Sequence, residues 1–373
     1  MHAGPVAEVK TVAILGAGHG GCAAAADLSL RGYAVRLHSR SEDRLRPLRE
    51  ARGITLCGAR QGTVMPALLT TDLAAAVEGA DLVMLVVPSV AHAAYARGLA
   101  RLLQSSQVVL LNPGHTGGGL HLAWELRRAG LSRPVLLCET VTLSYICRLE
   151  APATVGLYSY TRRLGFAALP ARETERLCSL LKPVYPEILA ASSVLETALS
   201  NMNAVFHPPG MLMNIGWIES TGGDFLFYAQ AITEAVGRVV SAVDAERLAV
   251  ARTLGVPAKT FLETFFEAGL TTPGALASGS VARACRESAP NRTIKSPPSL
   301  NHRYLHEDVG YGLVPMAELA ALAGVPTPTM DSLIHLASTA QGLDYRRDGL
   351  TLERLGLQGL TVEALLRVVR EGA

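Results

Sequence analysis

A histidine followed by two prolines lies near the middle of this 373-residue chain, at His207. Imidazole has an unperturbed pKa of about 6.5, so it both accepts and donates a proton near neutral pH. Such a group suits a reaction that transfers a hydride together with a proton. The pattern from Asn201 to Gly210 predicts that His207 lies at the end of a helix, and the alternative interpretation is a purely structural histidine.

A second polar segment, Asn301 to Asp308, crowds charge around a predicted helix start. An aspartate bonded to a catalytic imidazole fixes its tautomer and stabilises its cation, and an arginine binds a carboxylate through two parallel hydrogen bonds. Asp308 is therefore a candidate partner for a catalytic histidine, and Arg303 is a candidate carboxylate-binding residue. The alternative is that Arg303, Glu307 and Asp308 form a solvated helix cap.

A third chemical signal is glycine-rich and lies between a predicted strand, Val9–Leu15, and a predicted helix, Gly20–Leu30. It fits the pattern Gly-x-Gly-x-x-Gly, in which the glycines permit a tight turn and let the backbone approach a pyrophosphate at the helix N-terminus. The alternative is a simple glycine-rich turn. The predicted cofactor-binding residues here are Gly16, Gly18, His19, Gly20 and Gly21.

The end of the second predicted strand, Ala34–His38, distinguishes the two nicotinamide cofactors, because an acid there binds the ribose hydroxyls and repels a 2′-phosphate. This chain has Ser39 and Arg40 at that point, and an arginine forms charge-assisted bonds to a phosphate. The sequence therefore favours NADP, with NAD as the alternative if Glu42 or Asp43 meets the ribose instead. We also expect Pro88 to contact the cofactor.

Two further polar segments follow predicted strands, at Asn112–His115 and at Cys138–Thr140. Ligands collect at the carboxyl ends of parallel strands, so both segments are candidates for substrate binding. The alternative is ordinary turn chemistry.

The hydrophobic pattern predicts the strands and helices that position these residues. Buried strand-like runs alternate with helix-like segments as far as a last predicted strand at Thr154–Tyr158. This alternation predicts an α/β fold, a Rossmann-type doubly wound parallel sheet over residues 1–185. The pattern then becomes helical, with its clearest helix capped by Thr233 and ending at Leu254, which predicts an all-helical domain over 186–373.

Composition limits the class of protein. The chain is 49% hydrophobic with a formal charge of only +2 and no basic stripe, so we expect no nucleic-acid partner. Its apolar runs are shorter than the roughly 20 residues that a membrane span needs, so we expect no membrane partner. Six dispersed cysteines, without a Cys-x-x-Cys pair or a secretion signal, favour free thiols, a cytoplasmic location and no metal site.

Four segments of the chain carry a resemblance to a known family: Gly16–Gly21, Asn203–Pro208, Gly223–Tyr228 with the long helix after it, and Arg303–Asp308. They resemble the octopine/nopaline (opine) dehydrogenase family, and the resemblance spans nearly the whole chain. The last three segments are far more specific than the glycine motif.

The resemblance implies a Rossmann half, a helical half similar to the C-terminal domain of 6-phosphogluconate dehydrogenase, and a reversible NAD(P)H-dependent condensation of an α-keto acid with the amino group of an amino acid. It implies that His207 donates and accepts the proton, that Asp308 is its partner and that Arg303 binds a carboxylate. The residues that it assigns to the substrate site are Asn201, His115, Glu139 and Thr140. At His115 this chain departs from the family, in which a glutamine is expected.

Two alternatives remain open. Reductases of the ketopantoate or glycerol-3-phosphate type also have a Rossmann half and a helical half, but they resemble one another in using a lysine at the reacting carbonyl. Among the four lysines of this chain, Lys182 is the one candidate for that role. A catalytically inactive NADP-sensing protein is the other alternative, against which the intact His207, Arg303 and Asp308 argue. The apolar helices of the second half are compatible with a homodimer.

Overall fold

The computed structural model describes residues 8–372, which form two compact units. The first unit runs to Thr197 and takes in the segment from Arg367 onward, and the second runs from Ala198 to Leu366. The sequence pattern put the boundary near residue 185. The difference arises because a short strand at Ile188–Ala190 adds to the sheet of the first unit.

All strands of the described chain belong to the first unit. In chain order they are β1 (Thr11–Leu15), β2 (Ala34–His38), β3 (Ile54–Gly58), β4 (Gly62–Val64), β5 (Leu68–Thr70), β6 (Leu82–Leu85), β7 (Val108–Leu111), β8 (Leu136–Thr140), β9 (Tyr145–Ala151), β10 (Thr154–Tyr160), β11 (Leu164–Leu169) and β12 (Ile188–Ala190). Its helices are α1 (His19–Leu30), α2 (Glu42–Glu50), α3 (Leu73–Val77), α4 (His92–Leu99), α5 (Gly118–Arg128) and α6 (Thr174–Leu181), and α7 (Val194–Leu199) leads into the second unit.

Eight strands form the main sheet in the order β12-β11-β8-β7-β6-β1-β2-β5. Every neighbouring pair is parallel except β11 and β8. Every residue of β6, β7 and β8 is buried, which explains their unbroken apolar runs, since helices cover both faces of such a sheet. The predicted Rossmann architecture is confirmed.

A second, four-stranded sheet has the order β4-β3-β10-β9. The predicted last strand, Thr154–Tyr158, belongs here as part of β10, and two strands of the main sheet follow it. Asp27 of α1, fully buried, ties this sheet to the helix. Its carboxylate accepts from the hydroxyls of Tyr145 (3.1 Å) and Tyr160 (2.8 Å) and pairs with Arg60 (2.7 Å).

The second unit is helical, as predicted, and none of its described residues forms a strand. No helix of the described chain combines the length and apolarity that crossing a membrane requires. The helices are α8 (Met202–Leu212), α9 (Ile215–Thr221), α10 (Glu234–Thr253), α11 (Phe261–Glu267), α12 (Pro273–Ser278), α13 (Val281–Arg286), α14 (Arg303–His306), α15 (Val314–Leu322), α16 (Pro328–Gln341), α17 (Tyr345–Asp348) and α18 (Val362–Glu371), the last of which ends in the first unit.

Helix α10 is the element that the sequence described best. Thr233 caps it by accepting a hydrogen bond from the Val236 amide (3.3 Å), and Leu254 is its C-cap. Inside this helix the fully buried Arg247 pairs with Asp244 (2.7 Å) and donates to the carbonyl oxygen of Leu199. Arg247 therefore holds the chain just before the start of α8.

Helix α8 differs from the prediction. The sequence placed His207 at the end of a helix because two prolines follow it, but the helix continues through Pro208 and Pro209 to Leu212. Each proline removes one backbone donor from the helix interior, which ordinarily ends it. Here every residue from Ala204 to Leu212 is buried, so tertiary packing outweighs the local cost. His207 consequently lies inside a fixed helix.

Candidate active site

The glycine-rich turn between β1 and α1 has the close backbone contacts that its sequence predicts. Gly16 has a left-handed φ of +120°, and a Cβ atom there would lie 2.4 Å from the carbonyl oxygen of Val86. A Cβ atom on Gly21 would lie 1.7 Å from the carbonyl oxygen of Gly16. Neither position can hold a side chain, so this turn requires glycine for its own geometry.

The same turn leaves room for a ligand at Gly18. A Cβ atom there would meet nothing within 4 Å, and Gly18 caps α1 without any side-chain bond to the first amides of the helix. Open space beside uncapped amide donors fits the pyrophosphate of a dinucleotide. These residues would hold NAD(P)H.

Two residues of the turn that begin α1, His19 and Gly20, lie against neighbouring segments of the first unit. Nδ1 of His19, the first residue of α1, accepts a hydrogen bond from the Leu149 amide at 2.9 Å. The neutral ring therefore carries its proton on Nε2. A Cβ atom on Gly20 would lie 2.8 Å from the methyl carbons of Leu143. Pro88 is exposed and follows the Val86 segment that contacts the turn.

The end of β2 holds the residues that were predicted to select the cofactor. Ser39 is buried, and its hydroxyl oxygen accepts a hydrogen bond from the Ser41 amide at 3.2 Å. Arg40 is exposed, and its guanidinium carbon lies 5.7 Å from the centre of the Tyr95 ring, within the range of a cation–π contact. The acids that follow are paired within α2, Glu42 with Arg49 (3.0 Å) and Asp43 with Arg46 (3.0 Å).

Glu139, at the end of β8, is a fully buried carboxyl group. It accepts hydrogen bonds from the Gly119 amide (2.7 Å) and from the Thr197 hydroxyl. Burial raises the pKa of Glu139 to about 7, against the opposing effect of these two hydrogen bonds. Both carboxylate oxygens therefore already bind groups of the first unit.

Thr140 is the last residue of β8, and His115 lies in the connection that follows β7. The buried Thr140 hydroxyl lies 2.8 Å from the Thr142 carbonyl oxygen and 3.2 Å from Oδ1 of Asn112. His115 is buried in the left-handed region, with a φ of +57° that is uncommon outside glycine. The structure thus places both residues at strand ends, where the sequence predicted them.

The second unit brings His207 and Asp308 together from different helical segments. Nδ1 of His207 lies 2.7 Å from Oδ2 of Asp308, and both side chains are buried. A carboxylate can only accept, so Nδ1 carries the proton, and the lone pair of the neutral imidazole is on Nε2. The pair is arranged as a general base and its orienting acid.

Aromatic rings fix the orientation of this imidazole. The Tyr304 ring stacks on His207 with centroids 3.6 Å apart and planes 10° from parallel, and the Tyr228 hydroxyl lies 3.4 Å from Nε2. Tyr228 is in a π-helical segment, Phe227–Ala231, and a second such segment, Val309–Leu313, begins directly after Asp308. Such segments occur often at functional sites.

Arg303 begins α14, where the sequence predicted a helix start. Its Nε pairs with Glu307 at 3.2 Å, while 55% of its side chain remains exposed. Glu307 and Asp308 are both buried, so the alternative of a solvated cap is wrong for the two acids. Asn201 is buried at the N-cap of α8, the helix that carries His207.

Both halves of the chain match known protein families. Residues 190–341 match the family described as NAD/NADP octopine/nopaline dehydrogenase, alpha-helical domain, and residues 11–126 match NAD-dependent glycerol-3-phosphate dehydrogenase N-terminus. An opine dehydrogenase of Arthrobacter sp. (strain 1C) is 37% identical over 363 residues, which cover 97% of this chain and 99% of that protein. The chain belongs to the opine dehydrogenase family.

Solved structures show the same fold as this opine dehydrogenase. Octopine dehydrogenase in complex with NADH and agmatine has a TM-score of 0.78 at 22% identity, covering 96% of this chain and 98% of that chain. Yersinopine dehydrogenase with NADP+ bound has a TM-score of 0.72 at 18% identity, covering 100% of this chain and 99% of that chain.

Membership of the family establishes the class of reaction. The protein is an NAD(P)-dependent oxidoreductase acting on CH–NH bonds, and it condenses an α-keto acid reductively with the amino group of an amino acid. Its substrates are accordingly small molecules.

Sequence reasoning missed the aromatic neighbours of His207. Tyr228 and Tyr304 lie in segments that carry the family resemblance, yet nothing in their spacing indicated that they contact one imidazole. The weak signal available was that aromatic residues accompany each polar segment. Thr197 was missed as a partner of Glu139 because it lies in an apolar helix far along the chain.

Proposed function

We propose that this opine dehydrogenase prefers NADPH and uses His207, oriented by Asp308, as its general acid and base. The observation that carries the proposal is the buried 2.7 Å contact between Nδ1 of His207 and Oδ2 of Asp308. In the family reaction, NAD(P)H supplies a hydride to the carbon of the bound imine. The protein has to supply and remove protons, position the reactants and exclude water.

His207 is suited to the proton transfers. With its Nδ1–H directed at Asp308, the imidazole exchanges protons through Nε2. In the reductive direction it gives a proton to the substrate nitrogen, and the carboxylate of Asp308 stabilises the imidazolium form. In the oxidative direction Nε2 takes the proton from the amine as the hydride leaves.

Arg303 is the proposed carboxylate-binding residue. More than half of its side chain is exposed, and a guanidinium group binds a carboxylate in a bidentate manner. Asn201, His115, Glu139 and Thr140 stay predicted substrate-binding residues. For Glu139 and Thr140 the bonds to their own unit support a second role, in shaping the connections after the strands.

The preference for NADPH rests on the end of β2. No acid follows this strand directly, and Arg40 is exposed there. The pairing of Glu42 with Arg49, and of Asp43 with Arg46, favours a 2′-phosphate over bare ribose hydroxyls as the partner of Arg40. A cytoplasmic location and a homodimer stay predictions.

The lysine-dependent reductases are disfavoured by the position of Lys182. Its ammonium group donates to the Ile188 carbonyl oxygen at 2.6 Å, inside the first unit. Lys259 and Lys295 form ion pairs of 2.6 and 2.7 Å with acids of the second unit. An inactive sensor is disfavoured because the His207–Asp308 pair is complete.

The test is NADPH oxidation, followed by absorbance, with pyruvate, glyoxylate, 2-oxoglutarate or ketopantoate, each with and without a mixture of amino acids, and then with NADH. We expect oxidation only when keto acid and amine are both present, and a higher kcat/KM with NADPH. Oxidation without amine would favour a simple keto-acid reductase. No oxidation with any pair, despite NADPH binding, would favour the sensor.

A further inference from the structure

His302 caps α14 in a way that determines which of its nitrogens carries the proton. Its Nδ1 accepts a hydrogen bond from the Tyr304 amide at 3.2 Å. A backbone N–H always donates, so Nδ1 is unprotonated and the neutral ring carries its proton on Nε2. His302 therefore presents a hydrogen-bond donor on the side of the ring opposite to the helix that it caps.

This imidazole is a neighbour of the His207 site. Its ring meets Tyr304 edge-on, with centroids 4.6 Å apart, and the same Tyr304 ring stacks on His207 at 3.6 Å. Burial, the charge of Arg303 and the proximity of His207 lower the pKa of His302 to about 4. The ring is thus uncharged at neutral pH and does not repel the guanidinium group beside it.

The donor has no protein partner. Among residues 8–372 nothing accepts a hydrogen bond from Nε2 of His302, although the side chain is half-buried. The adjacent Arg303 uses its Nε for Glu307 and keeps 55% of its side chain exposed. Two consecutive residues thus carry a neutral donor and a guanidinium cation, directly before the Tyr304 ring that stacks on His207.

We propose that Nε2–H of His302 binds a substrate carboxylate together with the guanidinium group of Arg303. Arg303 supplies the charge, and His302 supplies a directional hydrogen bond without adding a second cation. This inference rests on the proposed function, and it makes His302 a substrate-binding residue that distinguishes carboxylated substrates from analogues without the carboxylate. A site built to bond a polar group rejects the analogue that lacks it.

Two substitutions separate the cap from the donor. In His302→Asn the side-chain oxygen still reaches the Tyr304 amide, since asparagine is among the best N-caps, but no donor remains at the Nε2 position. In His302→Gln the amide nitrogen reaches the Nε2 position and the cap is lost. We expect His302→Asn to raise KM for the carboxylated substrate by about tenfold or more, as for a lost bond to a charged group, with KM for NADPH and Tm unchanged.

His302→Gln should restore most of the lost affinity while lowering Tm. The matched control is His306→Asn, because both ring nitrogens of His306 already bind protein groups, Asn301 and Tyr345, at 2.9 Å each. This control should leave every KM unchanged. If His302→Asn and His302→Gln raise KM equally, or if both raise KM for NADPH as well, His302 acts only on the local structure and the inference is wrong.

The carboxylate itself is tested with shortened substrates. Wild type and His302→Asn are compared on pyruvate against acetaldehyde, and on the preferred amino acid against its decarboxylated amine. The variant should discriminate less within one of these two pairs, which identifies the carboxylate bound. Unchanged discrimination in both pairs overturns the inference.

One measurement does not depend on turnover. Pyruvate titrated calorimetrically into the NADP+-loaded wild type and into His302→Asn should bind the variant about tenfold more weakly if the keto-acid carboxylate is the partner. Should NADPH oxidation fail with every keto acid and amine, the proposed function is at fault. Equal or absent binding of both pyruvate and the amino acids to wild type and His302→Asn would then overturn this inference too.

Discussion

The nucleotide turn of the first unit and the His207 site of the second unit are built in opposite ways. The turn is six consecutive residues, Gly16–Gly21, and it works through backbone groups and the absence of side chains. The His207 site uses side chains from three segments that are far apart in sequence, around residues 207, 228 and 302–308.

This difference explains why the two sites respond differently to substitution. A backbone site tolerates nothing larger than glycine where the chain approaches itself or a ligand. A side-chain site keeps its shape when a functional group is replaced by one of similar size, and loses only its chemistry. Each prediction below tests one side of this contrast.

The largest expected effect is on turnover, from Asp308→Asn. The amide keeps the size of the carboxyl group but can no longer fix the tautomer of His207 or stabilise its cation. We expect kcat to fall about 100-fold or more while the Kd of NADPH, measured by fluorescence titration, is unchanged. His207→Asn should reduce kcat to a similar degree.

Tyr228→Phe is the control for that substitution. Its hydroxyl lies at the longer distance of 3.4 Å from Nε2, and the ring packing is retained in phenylalanine. We expect kcat to fall by less than about tenfold. If Asp308→Asn had no larger effect than Tyr228→Phe, the carboxylate would not be the group that orients His207.

The second prediction concerns the backbone site and compares two glycines of the same turn. Gly18→Ala adds a methyl group that meets no protein atom within 4 Å, so the protein should fold normally. Because that space is the proposed approach to the pyrophosphate, the Kd of NADPH should rise about tenfold or more. Normal NADPH affinity would mean that the phosphates lie elsewhere.

Gly21→Ala should act on stability instead. Its methyl group would lie 1.7 Å from the Gly16 carbonyl oxygen, so the turn must rearrange. We expect the free energy of unfolding to fall by about 2 kcal/mol or more in urea titrations. Wild-type stability in this variant would contradict the close contact between β1 and α1.

The contrast also explains what the sequence could predict. Local patterns predict β1, α1 and α10, because the spacing of apolar residues and the residues that begin or end each element lie within or beside that segment. The strands β3, β4 and β9 were missed, since they pair in a small sheet whose outer strands are partly exposed and lack a continuous apolar run.

For the site, local spacing indicated which residue types were present but not which ones meet. The stacking of Tyr304 on His207 and the capping of α14 by His302 depend on how α8 and α14 pack. The same packing keeps Pro208 inside a helix, against its local preference. Tertiary contacts of this kind have no signature in a single sequence.

A third, smaller effect is expected from Arg40→Ala. Arg40 would bind the cofactor through its side chain, whereas the glycine-rich turn would bind it through backbone groups. Only NADPH has a 2′-phosphate for Arg40 to bind. We expect Kd to rise about tenfold for NADPH and to change little for NADH. Arg176→Ala, which removes an arginine paired with Glu173 at 2.8 Å in α6, serves as the control and should affect neither. Equal weakening of both cofactors would contradict the NADPH preference.

The smallest expected effect tests whether the Glu139 side chain stabilises the first unit rather than binding substrate. Burial raises the pKa of Glu139 from 4.5 to about 7 in the folded protein. Between these values the folded state keeps a proton that the unfolded state has lost, so stability falls as pH rises, by at most about 1.4 kcal/mol per pH unit. Glu139→Gln removes this dependence.

We therefore expect the unfolding free energy of the wild type, relative to Glu139→Gln, to fall between pH 5 and pH 7 in urea titrations. Glutamine can still accept from the Gly119 amide, and its NH2 group can donate to the Thr197 hydroxyl, which itself can donate to Val194 at 3.0 Å. If Glu139 only shapes the connections after the strands, the variant keeps its KM for both substrates. A raised KM with an unchanged pH dependence of stability would instead place Glu139 in contact with substrate.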